Sequence, residues 1–433
     1  MIDSHPALDP EQLIELALKA GAGAAEVFQS RAFSRPVFFE ANRLKQLESA
    51  QVEGTALRLW VEGRPGLAVA HGPVDSQTLI DRAINLSHLN SPEDTHLAQQ
   101  LNHHYPDLGQ AVSVEQLVTW GEESIDCVRQ QYPDTLCLAE WECEAETTRL
   151  VNSTGLDCCY TDITLSAYLA VDWIRGDDFL NVADGQVQRD SLNPQLLVDQ
   201  ILQRLDWAQS RAPAISGRMP VLFTAKAADM LWGTLQSALN GKQVAEKASP
   251  WSDRLGEQVT HPSITLYQQP DVGPFSCPFD DEGNPTRPIT FLERGQLKLF
   301  YTDTTTGKAL GSGSTGNGFR PSLSSYPSPG LFNLLVNPGQ KSLLTLIQDL
   351  DEGLIVDQIL GGGAGISGEF SVNVDLGFWV KKGQIVGRVK DTMVSGNVYT
   401  ALKHLIALGN DAAWNGSCYT PSMVVGGLSV VGR

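Results

Sequence analysis

Short alternating segments joined by tight turns constrain the fold of this chain more than any other feature. In "GTALRLWVEGRPGLAVAHG", apolar Leu57 and Leu59 flank Arg58, and the pair Glu62-Gly63 interrupts the pattern. A period of two followed by a two-residue turn is typical of a β-hairpin. Parallel strands would need crossover connections of a dozen or more residues, and the spacing leaves no room for them. We therefore predict antiparallel sheets.

Helices that precede groups of strands occur twice in the first half. Asp9 and Pro10 predict the cap and first turn of one helix, and Ser113 predicts the cap of a second, over "SVEQLVTWGEESIDCVRQQYPD". Several strand-like runs follow each helix, including "AAEVFQSRAF" and "RPVFFEANRLKQLESAQ" after the first and the run that contains Cys158 and Cys159 after the second. The repeated order suggests an internal duplication.

The predicted fold class is α+β, with two domains. Residues 1–210 form an N-terminal α/β domain of helices and antiparallel hairpins, with the possible duplication. The Pro-, Gly- and Ser-containing stretch at 211–220 is the predicted linker, and residues 221–433 form a mainly antiparallel β domain with a few helices. Two of those helices are predicted in "ADMLWGTLQSALNGK", with Gly241 as its C-terminal cap, and in "GNVYTALKHLIALGND".

Composition excludes several classes of function. Acidic residues outnumber basic ones by 50 to 31, for a formal charge of −19, so contact with nucleic acid or an anionic membrane is disfavoured. No segment approaches the apolar length of a membrane span, and the amino terminus lacks the features of a signal peptide. We expect a cytoplasmic location. The seven cysteines, odd in number and scattered, predict reduced thiols.

Recognisable catalytic motifs are missing from the sequence. None of the eight histidines has the spacing of two zinc ligands on a helix; His103-His104 is expected in a surface loop and His404 within a helix. No serine has the flanking glycines of a nucleophile elbow. Asp280, Asp281 and Glu282 could hold a hard cation, although a solvated turn explains them more simply.

Several long motifs in the second half point to a known family. They are "FDDEGNPT", "GSGSTGNGFRP", "NLLVNPGQKSL", "GGGAGISGEFSVNVDLGFWVKKGQIVGRVKDTMVSGNVYTALKHLIALGND" and "GGLSVVG". Together with "AEVFQSRAFSRPVFFEANRLKQLESAQVEGTALRLWVEGRPGLA" near the amino terminus, they resemble the TldD/PmbA family, once called modulators of DNA gyrase. The resemblance runs almost from end to end.

The resemblance implies two possible branches. The TldD branch is a zinc metalloprotease with an H-E-x-x-x-H helix and a cysteine ligand near its C-terminus, whereas the PmbA or TldE branch lacks the metal motif and pairs with a TldD subunit. Aligned with the family's motif, this chain has Trp232, Gly233 and Ser237 where the first histidine, the glutamate and the second histidine would stand. These residues cannot supply two imidazole ligands and a general base. Cys418 lies close to the position of the cysteine ligand, and alone it makes a poor zinc site.

The resemblance therefore implies a non-catalytic PmbA/TldE-type subunit of a cytoplasmic TldD-like zinc metallopeptidase. This chain would hold no cofactor, the partner subunit would hold zinc, and together they would form a channel for unfolded or modified peptides. The residues expected to contact peptide lie in two glycine-rich loops: Gly316, Asn317, Arg320, Gly361, Gly362, Gly363 and Gly365. Arg320 could bind a peptide carboxylate or tie down its own loop. Two alternatives stay open: a homodimeric peptide-binding or regulatory module, and a freestanding hydrolase that uses an unrecognised site.

Overall fold

The computed structural model describes residues 8–99 and 102–432. Its helices are α1 (Pro10–Lys19), α2 (Ser76–Ser87), α3 (Val114–Gln131), α4 (Pro194–Trp207), α5 (Ala225–Leu239), α6 (Gly241–Ala245), α7 (Thr304–Leu310), α8 (Leu343–Gln348) and α9 (Val398–Lys403). The N-terminal strands are β1 (Ala24–Glu40), β2 (Arg43–Leu47), β3 (Ala50–Val61), β4 (Arg64–His71), β5 (Asn102–His104), β6 (Thr135–Asn152), β7 (Asp157–Arg175) and β8 (Asp178–Gln188).

The C-terminal strands are shorter on average and more numerous. They are β9 (Ser216–Phe223), β10 (Leu266–Gln268), β11 (Ile289–Glu293), β12 (Gln296–Leu297), β13 (Gly318–Phe319), β14 (Ser328–Pro329), β15 (Leu334–Val336), β16 (Glu352–Leu360), β17 (Glu369–Lys381), β18 (Gln384–Arg388), β19 (Thr392–Asn397), β20 (Leu405–Leu408), β21 (Ala413–Asn415), β22 (Cys418–Thr420) and β23 (Met423–Gly432). Most strand pairs are antiparallel, which confirms the α+β prediction.

One eight-stranded sheet organises the N-terminal half. Its order is β4-β3-β1-β6-β7, with β2 beside β1 and both β8 and β5 beside β7. The meander β1-β3-β4 is preceded by α1 and followed by α2, and the meander β6-β7-β8 is preceded by α3 and followed by α4. The two units meet where β1 pairs with β6. Element order therefore repeats as the sequence suggested.

The helix cap, the turn and the strand pattern predicted from local sequence occur at the predicted residues. The side chain of Asp9 accepts a hydrogen bond from the backbone of Glu11 and caps α1. Glu62 and Gly63 both take positive φ, 52° and 74°, as a two-residue turn between twisted antiparallel strands requires. Cys158 is buried and its neighbour Cys159 half-exposed, as expected for adjacent strand residues.

The first strand-like run and the start of the second, as far as Glu40, form one continuous strand, β1, although Pro36 lies within it. The rest of the second run contains β2 and the start of β3. β1 pairs with β3 up to Ser34 and with β2 from Val37 onward. Pro36, which has no N–H to donate, falls at the gap between these two partners, where the loss of a ladder hydrogen bond is tolerated.

Helix α4 lies between the two halves of the molecule, and α3 packs beside it on the N-terminal sheet. Apolar residues of α4 such as Leu197 and Ile201 share one buried cluster with Trp141 of β6 and with Ile355 and Phe378 of the C-terminal sheet. The halves therefore share a core. The predicted linker at 211–220 is shorter in the structure, because β9 already begins at Ser216.

The C-terminal half is built on a seven-stranded sheet that closes on itself. Its order is β16-β9-β23-β19-β17-β18, and β16 also pairs with β17, which completes a five-stranded ring. A six-stranded sheet, β12-β11-β10-β15-β22-β21, packs beside it, and α5 contacts strands of both sheets. Helix α5 is thus held at the junction of the two sheets.

Three local predictions were wrong. Gly241 does not cap α5: Asn240 does, and Gly241 starts α6 because its missing side chain allows contact with Tyr301 and Thr302. The predicted helix over "GNVYTALKHLIALGND" stops at Lys403, His404 is its cap, and the following residues form β20. The residues "LIAL" suit a strand as well as a helix, and pairing with β23 decides between them.

The third wrong prediction is the surface loop at His103 and His104, because these residues lie in the exposed strand β5. They pair in parallel with Cys158 and Cys159 of β7. Among the described residues, no helix has both the length and the apolar character needed to cross a membrane.

Candidate functional site

The helix that aligns with the family's metal motif, α5, is fixed at its N-terminus by a distant turn. The Ser422 hydroxyl accepts a hydrogen bond from the backbone N–H of Ala225 at 3.1 Å and donates to Asp411 at 2.6 Å. One otherwise unpaired N–H at the start of the helix is thereby satisfied. The helix orientation therefore depends on the β22–β23 connection nearly 200 residues further along the chain.

Trp232, at the position of the first histidine, is fully buried. Its Nε1–H donates to the hydroxyl of Thr420 in β22 over 2.6 Å. An indole N–H is only a donor and has no lone pair to offer a metal ion. The side chain instead joins the C-terminal core, among neighbours such as Leu235 and Trp251.

The other two positions of the motif, Gly233 and Ser237, lie on the partly exposed side of α5. Gly233 is exposed, and the Ser237 hydroxyl donates back to the Gly233 carbonyl at 3.3 Å. Together with Tyr301 and Ile366 they line a polar depression of about 330 Å³. Its lining includes no carboxylate or imidazole, and burial raises the pKa of the Tyr301 phenol above its ordinary value, so these residues offer neither a general base nor a strong ligand.

Cys418, the fourth position of interest, is buried in β22 beside Asp229 of α5. Burial and the neighbouring Asp229 carboxylate raise the pKa of the Cys418 thiol well above its ordinary value. Burial also raises the pKa of Asp229. A thiol held in its protonated form is a weak nucleophile and a weak metal ligand.

These residues do not fit a zinc ion. A zinc site needs three or four N, O or S donors in tetrahedral arrangement, whereas the four positions offer one protonated thiol and a hydroxyl already engaged with the backbone. In the ranges 8–99 and 102–432, no three His, Cys, Asp or Glu side chains form a group that could hold a metal ion.

The carboxylates of residues 280–282 brace the loops around them. Asp280 is buried and accepts a hydrogen bond from the backbone N–H of Gly318 at 2.9 Å. Glu282 accepts from both the backbone and the hydroxyl of Thr304, at 2.8 and 2.7 Å, at the start of α7. Burial raises the pKa of Asp280 to about 8, with a contribution from Glu282. The turn is therefore not solvated, as the sequence suggested, but largely buried, and it supports the neighbouring loops.

Two of the predicted peptide contacts lie inside the protein. Asn317 is fully buried, and its amide exchanges hydrogen bonds with the side chain of Gln268 at 2.8 and 3.1 Å. Gly316 has φ +75°, and a Cβ there would lie 2.5 Å from the Pro285 carbonyl oxygen. Both residues hold the loop in place.

Arg320 links the two halves. Its Nη2 donates to Glu26 of β1 at 2.8 Å, and its Nη1 donates to the Ser325 carbonyl at 3.1 Å. The side chain is 3% exposed, and Glu26 also pairs with Arg58 at 3.1 Å. The guanidinium therefore ties down its own loop, which was one of the two interpretations of the sequence, and also fastens that loop to the N-terminal sheet.

The second glycine-rich loop has the opposite character. Gly361, Gly362, Gly363 and Gly365 are all exposed. A Cβ on Gly363 would lie 3.1 Å from Met230 of α5, so this part of the loop rests against the helix. Of the predicted contacts, this loop alone lies on the accessible surface beside α5.

A large cleft that the sequence did not predict lies between the two halves. Its volume is about 1200 Å³, and its walls include Tyr168 from β7 and Trp414 from β21. At its base Lys226 pairs with Asp357 at 2.9 Å, and Asp357 also pairs with Arg204 of α4 at 3.2 Å. Lys226 is the only cation in "PVLFTAKAADML", which is a weak signal that could have drawn attention to it.

A solved structure shows the same architecture, and curated sequences are similar to about half of this chain. TldE from Thermococcus kodakarensis superposes with a TM-score of 0.90 at 24% identity, over 98% of this chain and 99% of that one. A metalloprotease PmbA homolog from Haemophilus influenzae is 28% identical over 219 residues, which are 50% of this chain and 46% of the relative. A metalloprotease TldD homolog from the same organism is 29% identical over 231 residues, 52% and 46% of the two chains.

The chain thus spans about half the length of these two curated relatives. The profile of the PmbA/TldA metallopeptidase C-terminal domain matches residues 216–432, and that of domain 1 matches residues 25–87. The first match alone covers half of the sequence and contains α5, the Lys226–Asp357 pair at the base of the cleft, and both glycine-rich loops. This chain belongs to the PmbA/TldD family of metallopeptidase-type proteins.

Proposed function

We propose that this chain is a non-catalytic, PmbA/TldE-type subunit that completes the peptide-binding channel of a TldD-like zinc metallopeptidase. The observation that carries the proposal is the chemistry of α5. The helix is retained at the junction of two sheets, yet Trp232 fills its interior side and pairs with Thr420, where a catalytic subunit would need a metal ligand. Zinc and the general base would come from the partner subunit.

Two accessible features support a role in holding peptide. The cleft of about 1200 Å³ is large enough for several residues of an extended chain and is lined by polar and aromatic side chains. The exposed glycines at 361–363 leave the main chain uncovered, and a peptide could pair with it through backbone hydrogen bonds without strong sequence preference. Such binding suits unfolded or modified peptides.

Family relationships support the existence of a partner. Relatives named PmbA and relatives named TldD both match this chain at similar identity. A chain without metal ligands gains a function in proteolysis if a related chain provides them.

The test begins with a tagged chain isolated gently from its native host. We expect a near-equal amount of a homologous protein with H-E-x-x-x-H, and zinc in about one equivalent per pair. Peptidase activity should require both chains and should disappear when the histidines of the partner are replaced. Zinc bound stoichiometrically by the isolated chain, or peptidase activity of that chain alone, would contradict the proposal. Recovery of a homo-oligomer without partner would favour the homodimeric module.

A further inference from the structure

One face of the N-terminal sheet carries an uncovered group of apolar side chains. Along β6, Cys137, Ala139 and Trp141 point toward α3 and α4 and are buried. On the opposite face of β6, β7 and β8, five large apolar side chains are exposed, although the small Ala170 and Ala183 between them are buried. We name the group on that side the open β6–β8 face, and it consists of Leu136, Leu138, Tyr168, Ile174 and Phe179.

These five side chains form one contiguous patch. Ile174 and Phe179 are direct cross-strand neighbours, and Leu136 lies diagonally from Ile174 across the β6–β7 pair. Exposed fractions range from 44% for Tyr168 to 58% for Ile174. Isolated exposed apolar residues are common, but contiguous ones on adjacent strands are typical of protein–protein contacts.

A row of glutamates continues the same face along β6. Glu140, Glu142 and Glu144 alternate with the buried residues of that strand, and Glu140 stands directly opposite Tyr168. Burial, followed by repulsion from Glu142, raises the pKa of both Glu140 and Glu144. No ion pair among the described residues involves any of the three. Their charge is left uncompensated within this part of the chain.

We propose that the open β6–β8 face is the docking surface for the metallopeptidase partner subunit, which presents apolar side chains next to lysines or arginines. The inference rests on the proposed function. Charge complementarity selects such a partner, since opposite potentials favour association and specify orientation. A second copy of this chain, with a net charge of −19, would bring another acidic surface to the same face.

The position of the face agrees with a shared channel. Glu140 and Tyr168 also line the cleft between the two halves. A subunit docked on the face would therefore cover the neighbouring cleft opening and convert an open groove into an enclosed passage.

The test uses the full chain co-expressed with the H-E-x-x-x-H protein of the same genome. The variant Glu142→Lys/Glu144→Lys reverses the charge of the glutamate row that continues the open β6–β8 face. The control Glu122→Lys/Glu123→Lys makes the same change on the exposed side of α3. We expect the amount of partner that co-purifies with the first variant to fall at least about tenfold. The amount recovered with the second variant should equal that of the wild type. Raising salt from about 0.05 to 0.5 M should weaken wild-type pairing in the same direction.

A milder variant, Glu142→Gln/Glu144→Gln, distinguishes loss of charge from loss of folding, because it removes the charges without changing the size of the side chains. It should also reduce recovery while keeping the wild-type melting temperature or raising it. Equal recovery with all variants would overturn the docking surface and leave the subunit function standing. If no partner co-purified with the wild-type chain, both the docking surface and the subunit function would be overturned. If the wild-type chain formed a homodimer that the charge reversal dissociated, the protein bound to this face would be a second copy of the chain.

Discussion

At the residue scale, the positions that remove metal chemistry from α5 differ in what they contribute to stability. Trp232 is a fully buried side chain with a 2.6 Å hydrogen bond, whereas the Ser237 hydroxyl makes only a 3.3 Å bond within its own helix. Trp232→Ala should lower the free energy of unfolding by about 3–5 kcal/mol, because it leaves a large cavity and removes the partner of Thr420. Ser237→Ala, the matched control, should change it by less than about 0.5 kcal/mol. Urea denaturation of both variants checks this, and a Trp232→Ala protein as stable as wild type would show that the indole is not part of the packed core.

At the element scale, helices α5 and α6 contain two glycines with opposite steric requirements. A Cβ on Gly233, inside α5, would meet no heavy atom within 4 Å, whereas a Cβ on Gly241 would lie 2.7 Å from the Tyr301 carbonyl oxygen. Gly233→Ala should therefore raise the free energy of unfolding by about 0.5–1 kcal/mol, since alanine has the higher helix propensity. Gly241→Ala should lower it by about 1–3 kcal/mol through overpacking. Thermal unfolding of the pair is the measurement. If both substitutions moved the melting temperature in the same direction, the close contact at the start of α6 would be wrong.

At the scale of the whole molecule, Asp357 joins the two halves through Arg204 of α4, and it also pairs with Lys226 of its own half. Burial alone would raise the pKa of Asp357, but the two cations outweigh it and lower the value from 3.8 to about 2. A lowered folded-state pKa stabilises the protein above the unfolded pKa, and this stabilisation, about 2 kcal/mol, is lost as pH falls from about 4 to 2. Asp357→Asn should therefore be less stable than wild type by about 3 kcal/mol at pH 6, with a gap that narrows toward pH 2. Asp253→Asn, in an exposed pair with Lys247, should show almost no gap at any pH. A gap for Asp357→Asn that did not depend on pH would exclude this linkage.

Local patterns alone determined much of the architecture. The cap at Asp9, the turn at Glu62-Gly63 and the antiparallel hairpin of β3 and β4 depend on residues close together in sequence, and each appears as predicted. The identities of Trp232, Gly233 and Ser237 likewise required no coordinates, because their side chains lack the donor atoms of a zinc site whatever surrounds them.

Long-range contacts decided the rest. The residues "LIAL" became β20 because β23 offered an open edge, and Arg320 became a fastener between halves because Glu26, 294 residues away, lies beside it. The cleft exists only once the two halves pack, and the open β6–β8 face exists only once its three strands pair. Sequence periodicity reports which side of an element is apolar, but the free energy of burying a particular side chain depends on neighbours that only the folded chain brings into contact.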